Sequence, residues 1–146
     1  MELSEYKELL KEIKLGKILG ILKHPNADKL NIAVLDIGGK VKAVITGASN
    51  IKENDIVPFL TEGNVVPGYL LLQGEKVVLG KKMLRGLESD SMVLAEDEIG
   101  IGTDHTGIWI IEAENKDELI GKSILEVLDD NTLNSALAAK SEEVHF

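Results

Sequence analysis

Hydrophobic and polar positions follow a helical period at the start of the chain. The apolar positions that share one helical stripe are Leu3, Tyr6, Leu9, Leu10 and Ile13. This spacing predicts an amphipathic helix over residues 1–14, with Gly16 as its stop signal. Such a helix buries its stripe on its own domain or on another chain, and we expect the first.

The period changes from residue 15, where short runs rich in Ile, Leu and Val alternate with Gly, Pro and Asn turns. The runs that we expect to form strands are 17–23, 30–37, 41–46, 55–60, 75–79, 91–94 and 107–111. Many short strands with no clear helix between them predict a sandwich or a small closed barrel. Pro58 favours an edge strand or a bulge. Helical spacing returns over 116–128, and 129–146 favour an acidic tail or a loose helix.

Composition narrows the class of protein. The chain has 146 residues, of which 44% are hydrophobic and 28% charged, and this suits one folded domain with a single core. It has no Cys, which excludes disulfides, thiolate metal sites and Cys nucleophiles. Its apolar runs are far shorter than the roughly 20 residues that span a bilayer, and its acidic start lacks the basic region of a secretory signal. We expect a soluble cytoplasmic protein with no membrane partner.

The net charge of −9 is unevenly distributed. Residues 15–93 carry ten basic and eight acidic side chains, whereas residues 94–146 carry three basic and thirteen acidic ones. Overall acidity argues against a polyanionic partner, but the middle of the chain is locally basic. Its sharpest feature is Lys81-Lys82-Met83-Leu84-Arg85-Gly86, which either tracks a nucleic-acid backbone or forms an ordinary solvated loop.

Patterns that carry catalysis or bind metals are weak. His24, His105 and His145 lie in turns or the tail, and without a nucleophile elbow they do not predict a hydrolase. The acidic stretch from Glu96 to Asp104 lacks the spacing of a calcium loop, so we expect a solvated acidic loop. The sequence therefore predicts no enzyme activity, no metal site and no cofactor.

Four separated segments form a distinctive series in their order and spacing. They are residues 16–30, which contain His24-Pro25-Asn26-Ala27-Asp28-Lys29-Leu30, residues 45–50, residues 82–92 and residues 98–108. The series resembles the tRNA-binding OB-fold domain near the start of the bacterial phenylalanyl-tRNA synthetase beta subunit, a domain type that also occurs in free-standing tRNA-binding proteins. The resemblance implies a mainly β fold: a five-stranded OB barrel over residues 15–128, with an N-terminal and a C-terminal helix.

The resemblance also implies an RNA-binding surface and two structural roles. The residues expected at the RNA are Asn50, Lys81, Lys82, Arg85, Ser89 and Met92. Lys and Arg side chains would contact phosphates, Asn50 and Ser89 would donate to phosphate or the 2′-OH, and Met92 offers apolar surface or packs in the core. Asp28 is expected to accept hydrogen bonds that stabilise a turn, and Leu30 to anchor the core.

Two departures from the family pattern carry expectations of their own. Ser91 stands where the family usually has Gly, so strain is expected if the backbone there needs a positive φ. Asp90 places a negative charge beside the expected RNA surface.

The function implied is a non-catalytic tRNA-binding module whose partners are tRNA and a synthetase subunit. The alternative is a protein-interaction, dimerisation or chaperone-like module, a homodimer with vestigial RNA binding. Exposure of the Leu3, Tyr6, Leu10 and Ile13 stripe would favour this alternative.

Overall fold

The structure is a computed structural model that describes residues 1–144, with side chains as far as residue 139; His145 and Phe146 lie outside the described residues. The elements in chain order are α1 (Leu3–Leu10), β1 (Lys14–Lys23), β2 (Asn31–Asp36), β3 (Val41–Thr46), β4 (Ile56–Thr61), α2 (Pro67–Gln73), β5 (Lys82–Leu84), β6 (Leu87–Ser89), β7 (Ser91–Val93), α3 (Glu96–Ile99), two 3-10 helices (Lys116–Leu119 and Ile124–Glu126) and α4 (Asp130–Val144).

Five strands form one antiparallel sheet in the order β3-β2-β1-β4-β7, and β5 and β6 form a separate hairpin. The β1–β2 register shifts between Ile18 and Gly20, which marks a bulge that bends the sheet. The edge strands β3 and β7 come close together, and Lys42 Nζ lies 3.0 Å from Asp90 Oδ1 across the gap. The sheet is therefore a partly open five-stranded barrel of the OB type. This confirms the predicted mainly β fold with a helix near each end.

The barrel is filled by branched and aromatic side chains that alternate along its strands. This inner cluster consists of Ile18, Ala33, Leu35, Val44, Ile51, Val57, Phe59 and Val93. A second cluster lies between the sheet and the helices, and there Tyr6, Leu10 and Ile13 are completely buried. The Tyr6 hydroxyl donates to Ile99 O at 2.8 Å, which ties α1 to α3.

The burial of the α1 stripe confirms that it packs on its own domain. Its three fully buried members leave it without the exposed apolar surface that association through this helix required.

Two predicted strands are absent from the described sheet. Residues 75–79 and 107–111 make only isolated bridges, such as Val65 with Val78 and Ile56 with Ile111. A helix, α2, occupies Pro67–Gln73, where the sequence indicated turns; Pro67 is tolerated in its first turn because the amide hydrogens there have no partner within the helix. The pattern of apolar residues did not reveal that the segments 75–79 and 107–111 lack full pairing, because pairing depends on the position of a partner strand.

Pro58 lies in β4, which is a central strand, so the edge assignment was wrong. Pairing of β4 with β7 begins one residue later, at Phe59. The Pro58 carbonyl accepts from Leu94 N at 3.1 Å. Pro58 therefore contributes an acceptor at the end of the ladder, where a missing N–H is tolerated.

The predicted helix over 116–128 is instead two 3-10 turns. Gly121, at φ +81°, separates them, because a left-handed residue ends a helical segment. The one long helix near the C-terminus is α4, at residues 130–144. None of the helices in the described part of the chain has the length and apolar character needed to cross a bilayer.

Candidate nucleic-acid interface

A short basic hairpin, residues 81–89, projects between β4 and β7. Lys82 pairs with Ser89 and Leu84 with Leu87, and the connecting turn is Arg85-Gly86. Both turn residues have positive φ, +52° and +90°, as a two-residue type I′ turn requires. The exposed side chains of Lys81, Lys82 and Arg85 are therefore brought together on this hairpin and its tip.

His24 fixes the hairpin to the β1–β2 loop. The backbone N–H of Asn26 donates to His24 Nδ1 at 3.0 Å, so the imidazole hydrogen lies on Nε2, which donates to Leu84 O at 2.8 Å. The Asn26 side chain adds a bond from Nδ2 to Arg85 O at 3.2 Å. His24 is almost completely buried, and its role is to position the hairpin.

A groove of about 430 Å³ lies between the loop and the hairpin tip, here named the loop–hairpin groove. It is lined by Asn26, Ala27, Asp28, Lys29, Leu30 and Arg85. Lys29 and Arg85 are thus two cations that share one concave surface. Lys29 was not among the residues predicted at the site. The signal for it in the sequence was its position just after the Pro25-Asn26 turn, in the loop that forms one wall of the groove.

The two structural roles expected in this loop are not observed. The Asp28 carboxylate is exposed and accepts no hydrogen bond among the described residues; the turn is closed by Leu30 N donating to Ala27 O at 3.2 Å. Leu30 is half-buried and lines the groove instead of anchoring the core.

Two lysines near the base of the basic hairpin already have acidic partners. Lys42 Nζ lies 3.0 Å from Asp90 Oδ1, and this hydrogen bond lowers the pKa of the Asp90 carboxyl. Lys81 Nζ lies 3.9 Å from Glu62 Oε1, a looser pair between exposed groups. Part of the local positive charge is therefore matched within the molecule.

Asn50 is exposed, but its amide group is engaged in a structural contact. Its Nδ2 donates to Ile108 O at 2.9 Å, and its Oδ1 accepts from Ile108 N at 3.0 Å. The pair of bonds fastens the loop after β3 to the segment before Trp109. The structure does not bring Asn50 to the basic hairpin through any described contact.

Ser89 and Met92 differ from the lysines in exposure. Ser89 is buried, and its hydroxyl donates to Ser91 O at 3.1 Å. The expected donation from Ser89 to RNA therefore needs correction, because the hydrogen is already used inside the protein. Met92 is half-buried against the helical cluster and faces two cavities beside Lys82.

Ser91 is not strained. The described non-glycine residues with positive φ are Asn54 and Arg85, so Ser91 has ordinary strand geometry at the start of β7. Its hydroxyl donates to Asp90 Oδ1 at 3.1 Å. Ser in place of the family's usual Gly thus supports the carboxylate that pairs with Lys42.

The acidic segment is partly ordered as α3 and is not a fully solvated loop. Asp97, Glu98 and His105 are the one set of potential metal ligands whose atoms lie within 4.8 Å of one another in the described chain. These groups bind each other and their neighbours: Asp97 Oδ1 lies 2.8 Å from His105 Nδ1, which raises the His105 pKa. Glu98 is buried, accepts from Ala95 N at 2.8 Å, and has a pKa raised by burial.

Together, the barrel order and the groove define the class of this molecule as an OB-fold domain with a basic loop–hairpin face. OB folds bind oligonucleotides through the loops after the first and fourth strands, and the groove is formed by these two loops.

Comparison with known families then identifies the chain more narrowly. Residues 13–119 match the family model described as "Putative tRNA binding domain". The match covers more than half of the chain, and the chain belongs to this tRNA-binding domain family.

Similar proteins include beta subunits of phenylalanine–tRNA ligase. The chain is 35% identical over 136 residues to that of Dehalococcoides mccartyi and 42% identical over 116 residues to that of Clostridium acetobutylicum. These alignments cover 92% and 77% of this chain but only 16% and 13% of the relatives. The chain thus spans about a sixth of their length.

Solved structures share the fold. A methionyl-tRNA synthetase related protein from Pyrococcus horikoshii superposes with a TM-score of 0.53 at 18% identity, covering 84% of this chain and 95% of the other. An RNA ligase from Naegleria gruberi superposes with a TM-score of 0.50 at 15% identity, covering 81% of this chain and 34% of the other. At such identities the likeness concerns the fold alone.

Proposed function

We propose that this protein is a non-catalytic module that binds tRNA through the loop–hairpin groove and the basic hairpin. It would act as part of a phenylalanine–tRNA ligase beta subunit or as a relative of that domain. Aminoacylation chemistry would reside in other parts of such an enzyme. Membership of the tRNA-binding domain family and similarity to these ligase subunits support the proposal.

The observation that carries the proposal is the joining of two cationic segments across one groove. Lys29 and Arg85 are 56 positions apart in sequence, yet both line it, and Lys82 extends the positive face along the hairpin. Lys and Arg on a concave surface contact phosphates, which set the position of a nucleic acid without reading its sequence. The groove therefore suits an RNA backbone recognised by its shape.

The electrostatics predict weak, salt-dependent binding. The chain is acidic overall, and two lysines near the base of the basic hairpin are paired with Asp90 and Glu62. Because few phosphates are neutralised, each phosphate contact makes up a large share of the salt dependence of the affinity.

A titration of labelled tRNA with the intact protein, followed by fluorescence anisotropy, tests the proposal. Binding is expected near 50 mM salt and should weaken by about twentyfold or more near 200 mM, as roughly three to four released counterions require. Absence of binding at the lower salt concentration contradicts the proposed function.

Replacing Asp90 by Asn is expected to strengthen tRNA binding. The substitution removes a negative charge beside the base of the basic hairpin and frees Lys42, whose Nζ lies 3.0 Å from that carboxylate. We expect the dissociation constant to fall by about threefold to tenfold at low salt, since one more cation becomes available to phosphate. The same anisotropy titration measures the change.

The matched control is Asp117→Asn, which breaks the Lys17–Asp117 pair, also 3.0 Å long. It removes the same charge from a different surface. Equal gains in the two variants would attribute the effect to net charge and remove Asp90 from the interface.

A further inference from the structure

Two cavities adjoin the basic hairpin along its first strand, β5. One has a volume of about 180 Å³ and the other about 220 Å³. Both are lined by Leu79, Gly80, Lys82 and Met92, so they share a common wall. Each volume is below the roughly 300 Å³ at which pockets for whole drug-sized ligands begin, so the space suits one ring system at a time.

The larger of the two has the surfaces that a planar base requires. Tyr69, Val66 and Met92 supply apolar wall, and Lys82 is exposed at the same cavity. Unpaired bases in RNA complexes are held by stacking and apolar contact, with a cation placed to bind the adjoining phosphate. A base is therefore a better match than a purely apolar ligand.

Glu98 gives this cavity a specific polar group. Its side chain is on the cavity wall and more than nine-tenths buried. One oxygen accepts from Ala95 N at 2.8 Å and the other from the Tyr69 hydroxyl at 3.3 Å. Each carboxylate oxygen can accept a second hydrogen bond, so the group retains capacity for a donor on a ligand.

We propose that this cavity, named here the Glu98 pocket, holds a single unpaired nucleobase that carries an exocyclic amino group. The carboxylate of Glu98 accepts from that amino group, as Glu and Asp accept from N4 of cytosine, while Lys82 binds the neighbouring phosphate. Uracil presents a carbonyl oxygen at the same ring position, which faces the carboxylate unfavourably. The inference rests on the proposed function, because it assigns a base to a site whose backbone contacts bind RNA.

The test uses two short labelled RNAs, oligocytidylate and oligouridylate, titrated against the full chain. They have the same number of phosphates, so the electrostatic contribution cancels in their ratio. The wild-type protein is expected to bind oligocytidylate about tenfold more tightly, the size of one charge-assisted hydrogen bond. Glu98→Gln should bring the ratio close to one, since an amide N–H can now donate to the uracil carbonyl.

A second variant adds bulk at the pocket and leaves Glu98 in place. A Cβ added at Gly80 meets no atom within 4 Å, so Gly80→Leu is compatible with the backbone and places a larger side chain at a residue that lines both cavities. This variant should also lose the cytidylate preference. The control is Gly20→Leu, because a Cβ at Gly20, in β1, likewise meets open space. It should keep the preference.

The outcomes separate the two proposals. Equal binding of the two RNAs by the wild-type protein, or no binding of either, overturns the Glu98 pocket. A preference that survives both Glu98→Gln and Gly80→Leu overturns it as well. Failure to bind tRNA in the salt titration is a different result, and it overturns the proposed function.

Discussion

Replacing Lys81, Lys82 and Arg85 together by Ala is expected to lower the affinity for tRNA by about one to two orders of magnitude near 50 mM salt. All three side chains are exposed on one hairpin, where they can reach consecutive phosphates. The slope of the logarithm of affinity against the logarithm of salt should fall by about two to three, one for each phosphate that the variant no longer neutralises. Anisotropy titrations at several salt concentrations measure both quantities.

A second triple variant distinguishes local contacts from net charge. Lys11, Lys52 and Lys122 are exposed and lie outside the groove and hairpin. Changing them to Ala removes the same three positive charges, and tRNA affinity should decrease by less than about threefold, because distant surface charges are screened. If both triple variants weaken binding equally, the basic hairpin is not the contact surface.

Gly68→Ala is expected to produce the largest loss of stability among single substitutions at glycine. A Cβ at Gly68 would lie 1.8 Å from Asp97 O and 2.7 Å from the carbonyl carbon of Glu98, both backbone atoms. Helices α2 and α3 would have to separate to make room. We expect the free energy of unfolding to fall by about 2 to 3 kcal/mol, which is the usual cost of overpacking. Urea denaturation followed by circular dichroism measures this change.

Gly20→Ala provides the comparison, because the added methyl group meets no atom within 4 Å. Its unfolding midpoint should stay the same or rise slightly, as Ala in a strand restricts the unfolded chain more than Gly. A Gly68→Ala protein with the same midpoint as Gly20→Ala would show that α2 and α3 are not in close backbone contact at this glycine.

The first three strands could be predicted from the sequence because each is a branched apolar run bounded by strong turn residues. The run 41–46 coincides with β3 for this reason. The segments 75–79 and 107–111 have similar apolar content, but they meet other strands only at single bridges. The local sequence pattern does not show where a partner strand lies. Whether these two segments become full strands is therefore decided by tertiary structure.

The site was predictable where it depends on local charge and not where it depends on tertiary contacts. Lys81, Lys82 and Arg85 are close together in sequence, so their shared surface follows from the hairpin itself. Lys29 joins Arg85 only because His24 binds Leu84 O, 60 positions further along the chain. The burial of Ser89 could not be predicted from the sequence either, because a family resemblance indicates which residue type stands at a position but not how exposed its side chain is.

The contact between the helices α1 and α4 links two distant parts of the chain around one buried cluster. Lys7 of α1 forms an ion pair with Asp130 at the start of α4. Tyr6 and Leu10 of α1 and Leu133 of α4 belong to the same apolar cluster. Each helix therefore covers part of this cluster, and removal of either one would expose apolar surface to solvent.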